Sequence, residues 1–142
     1  MTATPLINVL LVAGRDQEGE WLTATLRVEP GLVFVGNVPT LEHAVATAAQ
    51  RKVDIVLLDS SVPDAKQLDR IQALAAMPLG PATILIVPPV EMVFVQQAMF
   101  AGARGFLLKP FTHDQLLESL RQTFDILMQQ RHALTAAAAS AS

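Results

Sequence analysis

The chain has 142 residues and a formal net charge of −3, and 51% of its residues are hydrophobic against 16% charged. This length predicts a single domain, and the apolar content excludes intrinsic disorder as the main state. No apolar run approaches the roughly 18–20 residues of a membrane-spanning helix, and no basic segment precedes an apolar stretch at the start. We therefore expect a cytoplasmic protein without membrane insertion. The absence of cysteine excludes disulfides and thiolate chemistry, and the acidic balance of charge disfavours nucleic acid as a partner.

Five short apolar runs recur along the chain, at residues 6–12, 32–35, 55–58, 84–87 and 106–108. Nearly continuous apolar runs of this kind are typical of parallel strands that helices cover on both faces. Segments with helical periodicity follow them, at about residues 18–28, 41–50, 64–77 and 90–101, and from residue 112 onward. This alternation predicts a doubly wound α/β domain with a parallel five-stranded sheet over residues 1–131. An Ala/Ser-rich tail or linker follows at residues 132–142.

Capping residues predict where the helices begin and end. Gly102 is expected just past the end of the fourth helix, and Asp54 is interpreted as a turn or cap residue before the third strand. The inward side of the first helix is predicted to carry Trp21, Leu22 and Leu26. The predicted N-terminal caps are Asp16, Thr40, Asp64 and Thr112, the last of which forms a capping box with Gln115.

A carboxylate and a lysine follow two of the predicted strands. Asp59 comes directly after the third run, and Lys109 comes directly after the fifth. Because the carboxyl ends of parallel strands meet at one edge of a sheet, we expect these two side chains to converge there. From the residues alone the pair is either a structural ion pair or a reactive site.

Asp59 and Lys109 lie within recognisable segments of the sequence. Three segments are informative: Val53-Asp54-Ile55-Val56-Leu57-Leu58-Asp59-Ser60-Ser61-Val62-Pro63, Ala101-Gly102-Ala103 and Phe106-Leu107-Leu108-Lys109-Pro110-Phe111. Together they resemble the receiver domains of bacterial response regulators. The resemblance implies a flavodoxin-like (βα)5 fold that works in two-component phosphorelay signalling and is not itself an enzyme. It implies a histidine kinase or other phosphodonor as partner and Asp59 as phosphoacceptor. Lys109 would contact the phosphoryl group, Val87 and Phe106 would occupy the switch positions, and the peptide bond between Lys109 and Pro110 would be cis.

The chain departs from the family at the residues that hold Mg²⁺. The family's acidic pair after the first strand is replaced by Ala13 and Gly14, so only Asp59 and the carbonyl of Ser61 remain as ligands. Since Mg²⁺ is usually held by one or two carboxylates together with waters, we expect a weak site. Asp16 could supply a substitute carboxylate, and Arg15 could replace the positive charge of the metal, but each only in part. Val87 also replaces the hydroxyl residue that the family places at the end of the fourth strand.

The fourth helix is predicted to carry an apolar outer face made by Val90, Val93, Gln97 and Phe100. Such a face usually marks a partner surface. The resemblance implies a homodimer through helix four, strand five and helix five, with an effector protein or a domain outside this chain as the output.

Two other functions remain open. The segment at residues 94–106 looks like the receiver-like N-terminal domains of pilus-assembly ATPases of the TadZ/CpaE type, which favours a phosphorylation-independent dimerisation or localisation module. A hydrolase with Asp59 as nucleophile is disfavoured, because that chemistry normally needs a second acid where Ser61 stands. His43, His113 and His132 are interpreted as exposed or cap-adjacent residues and not as phosphotransfer sites.

Overall fold

The computed structural model describes residues 5–61, 66–89 and 92–141. Its strands form one parallel sheet in the order β2-β1-β3-β4-β5. The strands are β1 (Ile7–Val12), β2 (Leu32–Val38), β3 (Ile55–Asp59), β4 (Ala82–Val87) and β5 (Gly105–Leu108). This arrangement confirms the predicted flavodoxin-like, doubly wound sheet. The strand order reverses between β1 and β3, and in such sheets this switch point at the carboxyl ends of the strands is where ligands bind.

Five helices cover the two faces of the sheet: α1 (Gln17–Val28), α2 (Leu41–Gln50), α3 (Gln67–Ala76), α4 (Met92–Ala101) and α5 (His113–Ala141). Alternate strand residues point to opposite faces. Leu10 and Val12 pack in a core cluster with α2, α3 and α4, whereas Val9 and Leu11 pack in a second cluster with α1 and α5. Because both faces are covered, both sets of residues are apolar, and this produces the continuous runs in the sequence.

The predicted helix ends are confirmed for four of the capping residues, and α3 is the exception, because it begins at Gln67 with Lys66 at its N-cap position. Asp16 accepts a hydrogen bond from the backbone N–H of Gly19 at 2.8 Å, and Thr40 accepts one from His43. Gly102 has a φ of +124°, the left-handed conformation expected past the end of a helix. The capping box forms in both directions between Thr112 and Gln115. The predicted cap Asp64 lies outside the described residues.

One detail differs from the sequence prediction. Trp21 is not on the buried side of α1: its side chain is 43% exposed and lies 6.0 Å from the ring of Phe111. The helical phase places Leu22 and Leu26 inward instead.

At the end of the described chain, α5 continues as one helix through the Ala/Ser-rich segment, with residues 132–140 exposed. Among the described residues, no helix is long and apolar enough to cross a membrane.

Candidate functional site

Asp59 is the last residue of β3, and its carboxylate is completely buried at the carboxyl edge of the sheet. One oxygen, Oδ1, accepts hydrogen bonds from the backbone N–H and the hydroxyl of Ser61, at 3.0 and 2.8 Å. The same oxygen lies 3.3 Å from Nζ of Lys109. Within residues 5–61, 66–89 and 92–141, the other oxygen, Oδ2, has no hydrogen-bond partner. The convergence of Asp59 and Lys109 predicted from the sequence is therefore confirmed.

Lys109 reaches Asp59 from the segment that follows β5. Its backbone N–H donates to the carbonyl of Val87 at 2.9 Å, and its peptide bond to Pro110 is cis, as predicted. Its ammonium also lies 2.9 and 3.1 Å from the two carboxylate oxygens of Glu18. Burial lowers the pKa of Lys109, but the hydrogen bond to Glu18 and the charges of Asp59 and Glu18 outweigh burial and raise the pKa above 10.5. Glu18, Asp59 and Lys109 together are called the carboxyl-edge site below.

Sequence reasoning missed Glu18, although one signal was present. The helix α1 begins at the carboxyl end of β1, so the acidic residues of its first turn, Glu18 and Glu20, start at the correct edge of the sheet. The rotation of α1 about its axis determines which of the two reaches the site: Glu18 contacts Lys109, whereas Glu20 is exposed. A local pattern of charges does not fix that rotation in advance.

The residues that directly follow β1 border an open space next to the carboxyl-edge site. Ala13 donates its backbone N–H to the side-chain oxygen of Asn37 at 3.1 Å, and Gly14 carries no side chain. A cavity of about 410 Å³ is found there. It is lined by Ala13, Gly14, Arg15, Asp16, Asn37, Pro39 and Ser61.

The donor set of this region does not fit a divalent cation. The carboxylate of Asp16 caps α1, and those of Glu18 and Asp59 both face the ammonium of Lys109. No group of three acidic, histidine or cysteine side chains among the described residues is arranged to hold a metal ion. Mg²⁺ requires a near-octahedral set of oxygen ligands. The described residues around Asp59 thus do not offer the set of free carboxylates that Mg²⁺ would need.

The two predicted switch positions lie on neighbouring strands. Val87 ends β4 and is completely buried, so the position offers no hydroxyl toward Asp59. Phe106 lies on β5 and is 40% exposed. The one buried threonine of β4, Thr83, lies at the opposite end of the strand, where its carbonyl accepts from Arg104.

The prediction for Asp54 was wrong. This residue is neither a turn residue nor a helix cap but a buried carboxylate at the amino edge of the sheet. Its Oδ2 accepts hydrogen bonds from the backbone and side-chain N–H groups of Asn8, both at 2.8 Å. Its Oδ1 accepts from Arg131 of α5 at 2.8 Å, and Arg131 also donates to the carbonyl of Gly80. Asn8, Asp54 and Arg131 together are called the amino-edge clamp below.

The outer face of α4 is exposed as predicted. Phe100 is 96% exposed and Val93 is 71% exposed, and Gln97 lies between them on the same face. Val95 and Ala98 point inward and are buried. The remaining residue predicted for this face, Val90, lies outside the described residues.

Comparison with known proteins places this geometry in a family. The chain matches the response regulator receiver domain over residues 9–121. It belongs to this family. It is 34% identical over 95 residues to the transcriptional regulatory protein UhpA of Escherichia coli K12, covering 67% of this chain and 47% of UhpA. The receiver domain thus spans about half the length of the curated relatives it matches.

Solved structures agree on the fold. The receiver domain of a modulated diguanylate cyclase from Desulfovibrio desulfuricans G20 superposes with a TM-score of 0.76 and 25% identity, covering 88% of this chain and 98% of that one. A pilus assembly-related protein of Burkholderia pseudomallei K96243 superposes with a TM-score of 0.74, covering 88% and 94% of the two chains. At 19% identity the second likeness shows the fold alone.

Membership in the family establishes a general role. The chain contains a response regulator receiver domain of two-component signalling, a class of signalling domains that interact with histidine kinases and effector domains. Receiver domains in general bind Mg²⁺ at their phosphorylation site.

Proposed function

We propose that this receiver domain takes a phosphoryl group onto Asp59 from a histidine kinase or a small phosphodonor. The observation that carries the proposal is the state of the Asp59 carboxylate. It is buried and lies 3.3 Å from a lysine ammonium, and its Oδ2 has no hydrogen-bond partner among the described residues. A carboxylate oxygen that no donor holds is available as a nucleophile.

The transfer needs little covalent chemistry from the protein. Oδ2 of Asp59 attacks the phosphorus, the bond from phosphorus to the donor breaks, and its electron pair leaves with the donor. Lys109 offsets the negative charge that accumulates around the transferred group. Since neither an acidic pair nor a hydroxyl at Val87 supports the site, we expect slow uptake and an output that depends on contact with a partner protein.

The proposal is tested by incubating the protein with acetyl phosphate in a magnesium buffer and measuring its intact mass over time. We expect a gain of one phosphoryl group in the wild type and none in Asp59→Asn. Asp69→Asn, which alters an exposed aspartate of α3, serves as the matched control and is expected to behave as the wild type. No gain in the wild type would contradict the proposal and favour the phosphorylation-independent module. Repeated turnover of a phosphate ester, lost in Asp59→Asn, would instead favour a hydrolase.

We further propose that two copies of the domain associate through helix α4, strand β5 and helix α5. The support is the apolar surface of α4, a helix with no charged residue between Met92 and Ala101, together with the exposed Phe106 and Leu108 of β5. Exposed apolar area of this kind is stabilised by burial against a second surface.

The oligomeric state tests the second proposal. In analytical ultracentrifugation, we expect the wild type to form a dimer that Phe100→Glu dissociates. Val28→Glu places the same charge on another exposed apolar residue, at the end of α1, and is expected to leave the dimer intact. A monomeric wild type would contradict the proposal. An intact dimer in Asp59→Asn would indicate that association does not need the phosphoacceptor.

A further inference from the structure

The Lys109 ammonium is held by two of the protein's own carboxylates in the carboxyl-edge site. It donates hydrogen bonds to Oε2 of Glu18 at 3.1 Å and to Oδ1 of Asp59 at 3.3 Å, and the other carboxylate oxygen of Glu18 lies 2.9 Å from Nζ. The contact with Glu18 is shorter than the contact with Asp59. The lysine that should pair with a phosphoryl group is therefore already engaged most closely by Glu18.

The three side chains are also ordered by depth. Asp59 is 1% exposed, Lys109 is 23% exposed and Glu18 is 38% exposed. Glu18 is thus the outermost of the three and contacts Lys109 from the solvent side. Because Asp59 itself is buried, an anionic donor that approaches from solvent encounters the negative charge of Glu18 near the entrance.

We infer that Glu18 is an internal anion that restrains phosphoryl uptake by occupying Lys109. The inference rests on the proposed role of Asp59 as phosphoacceptor. A phosphoryl group on Asp59 has to share Lys109 with Glu18, which already accepts one of its hydrogen bonds and lies closest to its charge. Glu18 is therefore a positioning residue that acts through Lys109 and also repels the negative charge of the donor.

The opposite role for Glu18 makes the opposite prediction. If Glu18 took over from the missing acidic pair and assisted the transfer, removing its charge would slow uptake. If Glu18 only stabilised the fold, removing its charge would lower stability without accelerating uptake. The direction of the change in rate separates these roles.

The experiment compares Glu18→Gln with the wild type in the acetyl phosphate assay, with unfolding by urea measured in parallel. Glu20→Gln is the matched control, because it removes an equal charge from the same first helical turn without a contact to Lys109. We expect uptake on Asp59 to be on the order of tenfold faster in Glu18→Gln, as for the loss of one charge-assisted hydrogen bond. Uptake in Glu20→Gln should stay within about twofold of the wild type, since surface charges act weakly. Glu18→Ala gives a second test in which no side-chain oxygen remains to hold Lys109.

The outcomes separate the inference from the proposed function. Faster uptake in Glu18→Gln and Glu18→Ala, abolished by adding Asp59→Asn, supports the inference. Equal or slower uptake in both variants, with the wild type still modified on Asp59, overturns the inference and leaves the proposed function standing. Absence of uptake in every variant overturns both.

Discussion

Two buried aspartates lie at opposite ends of strand β3, and each faces a cation from a distant part of the chain. Asp54 precedes the strand and contacts Arg131 at 2.8 Å, whereas Asp59 ends the strand and contacts Lys109 at 3.3 Å. Both carboxylates are almost inaccessible to solvent. The residue type and the burial are the same at the two ends.

The hydrogen bonding is what differs. In the amino-edge clamp both oxygens of Asp54 accept hydrogen bonds, and Arg131 is held by a backbone carbonyl as well. At the carboxyl-edge site one oxygen of Asp59 has no partner among the described residues, and Lys109 is shared with Glu18. A fully satisfied buried carboxylate stabilises the fold, whereas an incompletely satisfied one stores free energy that a ligand can release. Hydrogen bonding, and not burial, therefore distinguishes the structural Asp54 from Asp59, the proposed phosphoacceptor.

The largest effect should come from removing the cation of the amino-edge clamp. Arg131→Met leaves the charge of Asp54 buried without its partner, so we expect the free energy of unfolding to fall by about 3–5 kcal/mol in urea titrations. Arg121→Met removes an exposed arginine from the same helix and should cost less than about 0.5 kcal/mol. Equal losses in the two variants would mean that the clamp does not stabilise the fold.

A smaller effect should separate the two aspartates themselves. Asp54→Asn weakens hydrogen bonds to a charged group, and we expect it to cost about 2–3 kcal/mol of unfolding free energy. Asp59→Asn removes a buried charge whose second oxygen is unpartnered, so the change should stay within about 1 kcal/mol. The same urea titrations measure both. A larger loss in Asp59→Asn than in Asp54→Asn would reverse the assignment of the two carboxylates.

The smallest effect should appear at alkaline pH. The pKa of Lys109 is raised above 10.5 in the folded protein, so its ion pairs stabilise the fold fully below that pH and are lost as the pH rises through the raised value. Guanidinium groups, in contrast to ammonium groups, are not deprotonated in proteins.

We therefore expect the stability difference between the wild type and Lys109→Met to be constant from pH 9 to about pH 10 and to shrink as the pH rises above 10.5. The difference between the wild type and Arg131→Met should persist. Urea titrations across this range measure both, with Lys52→Met as an exposed lysine control. A pH-independent difference for Lys109→Met would show that its charge does not stabilise the site.

The sequence predicts the sheet and its reactive edge for a physical reason. Strands covered on both faces must be apolar throughout, so the runs that end at Val12, Asp59 and Val87 mark the strand ends closely. Topology then brings residues that follow different strands to one edge, and this suffices to pair Asp59 with Lys109.

The contacts that the sequence does not predict depend on the rotation of helices and on partners far away in the chain, neither of which a local pattern of residues contains. The contact of Glu18 with Lys109 depends on the rotation of α1 about its axis, and 91 residues separate the two in the chain. Asp54 resembles an ordinary turn residue locally, because its partner Arg131 lies 77 residues away on another element. The contact of Trp21 with Phe111 joins two distant segments in the same way, and no periodicity of α1 indicates it.

The position of Arg131 along α5 has a mechanical consequence. The helix runs without interruption from His113, four residues after Lys109, to Ala141, and Arg131 attaches it to the sheet about two thirds of the way along. At 1.5 Å per residue, about 27 Å of helix precede this attachment and about 15 Å follow it. A tilt of α5 about Arg131 would therefore move its exposed end by about half the displacement of its first turn, in the opposite direction.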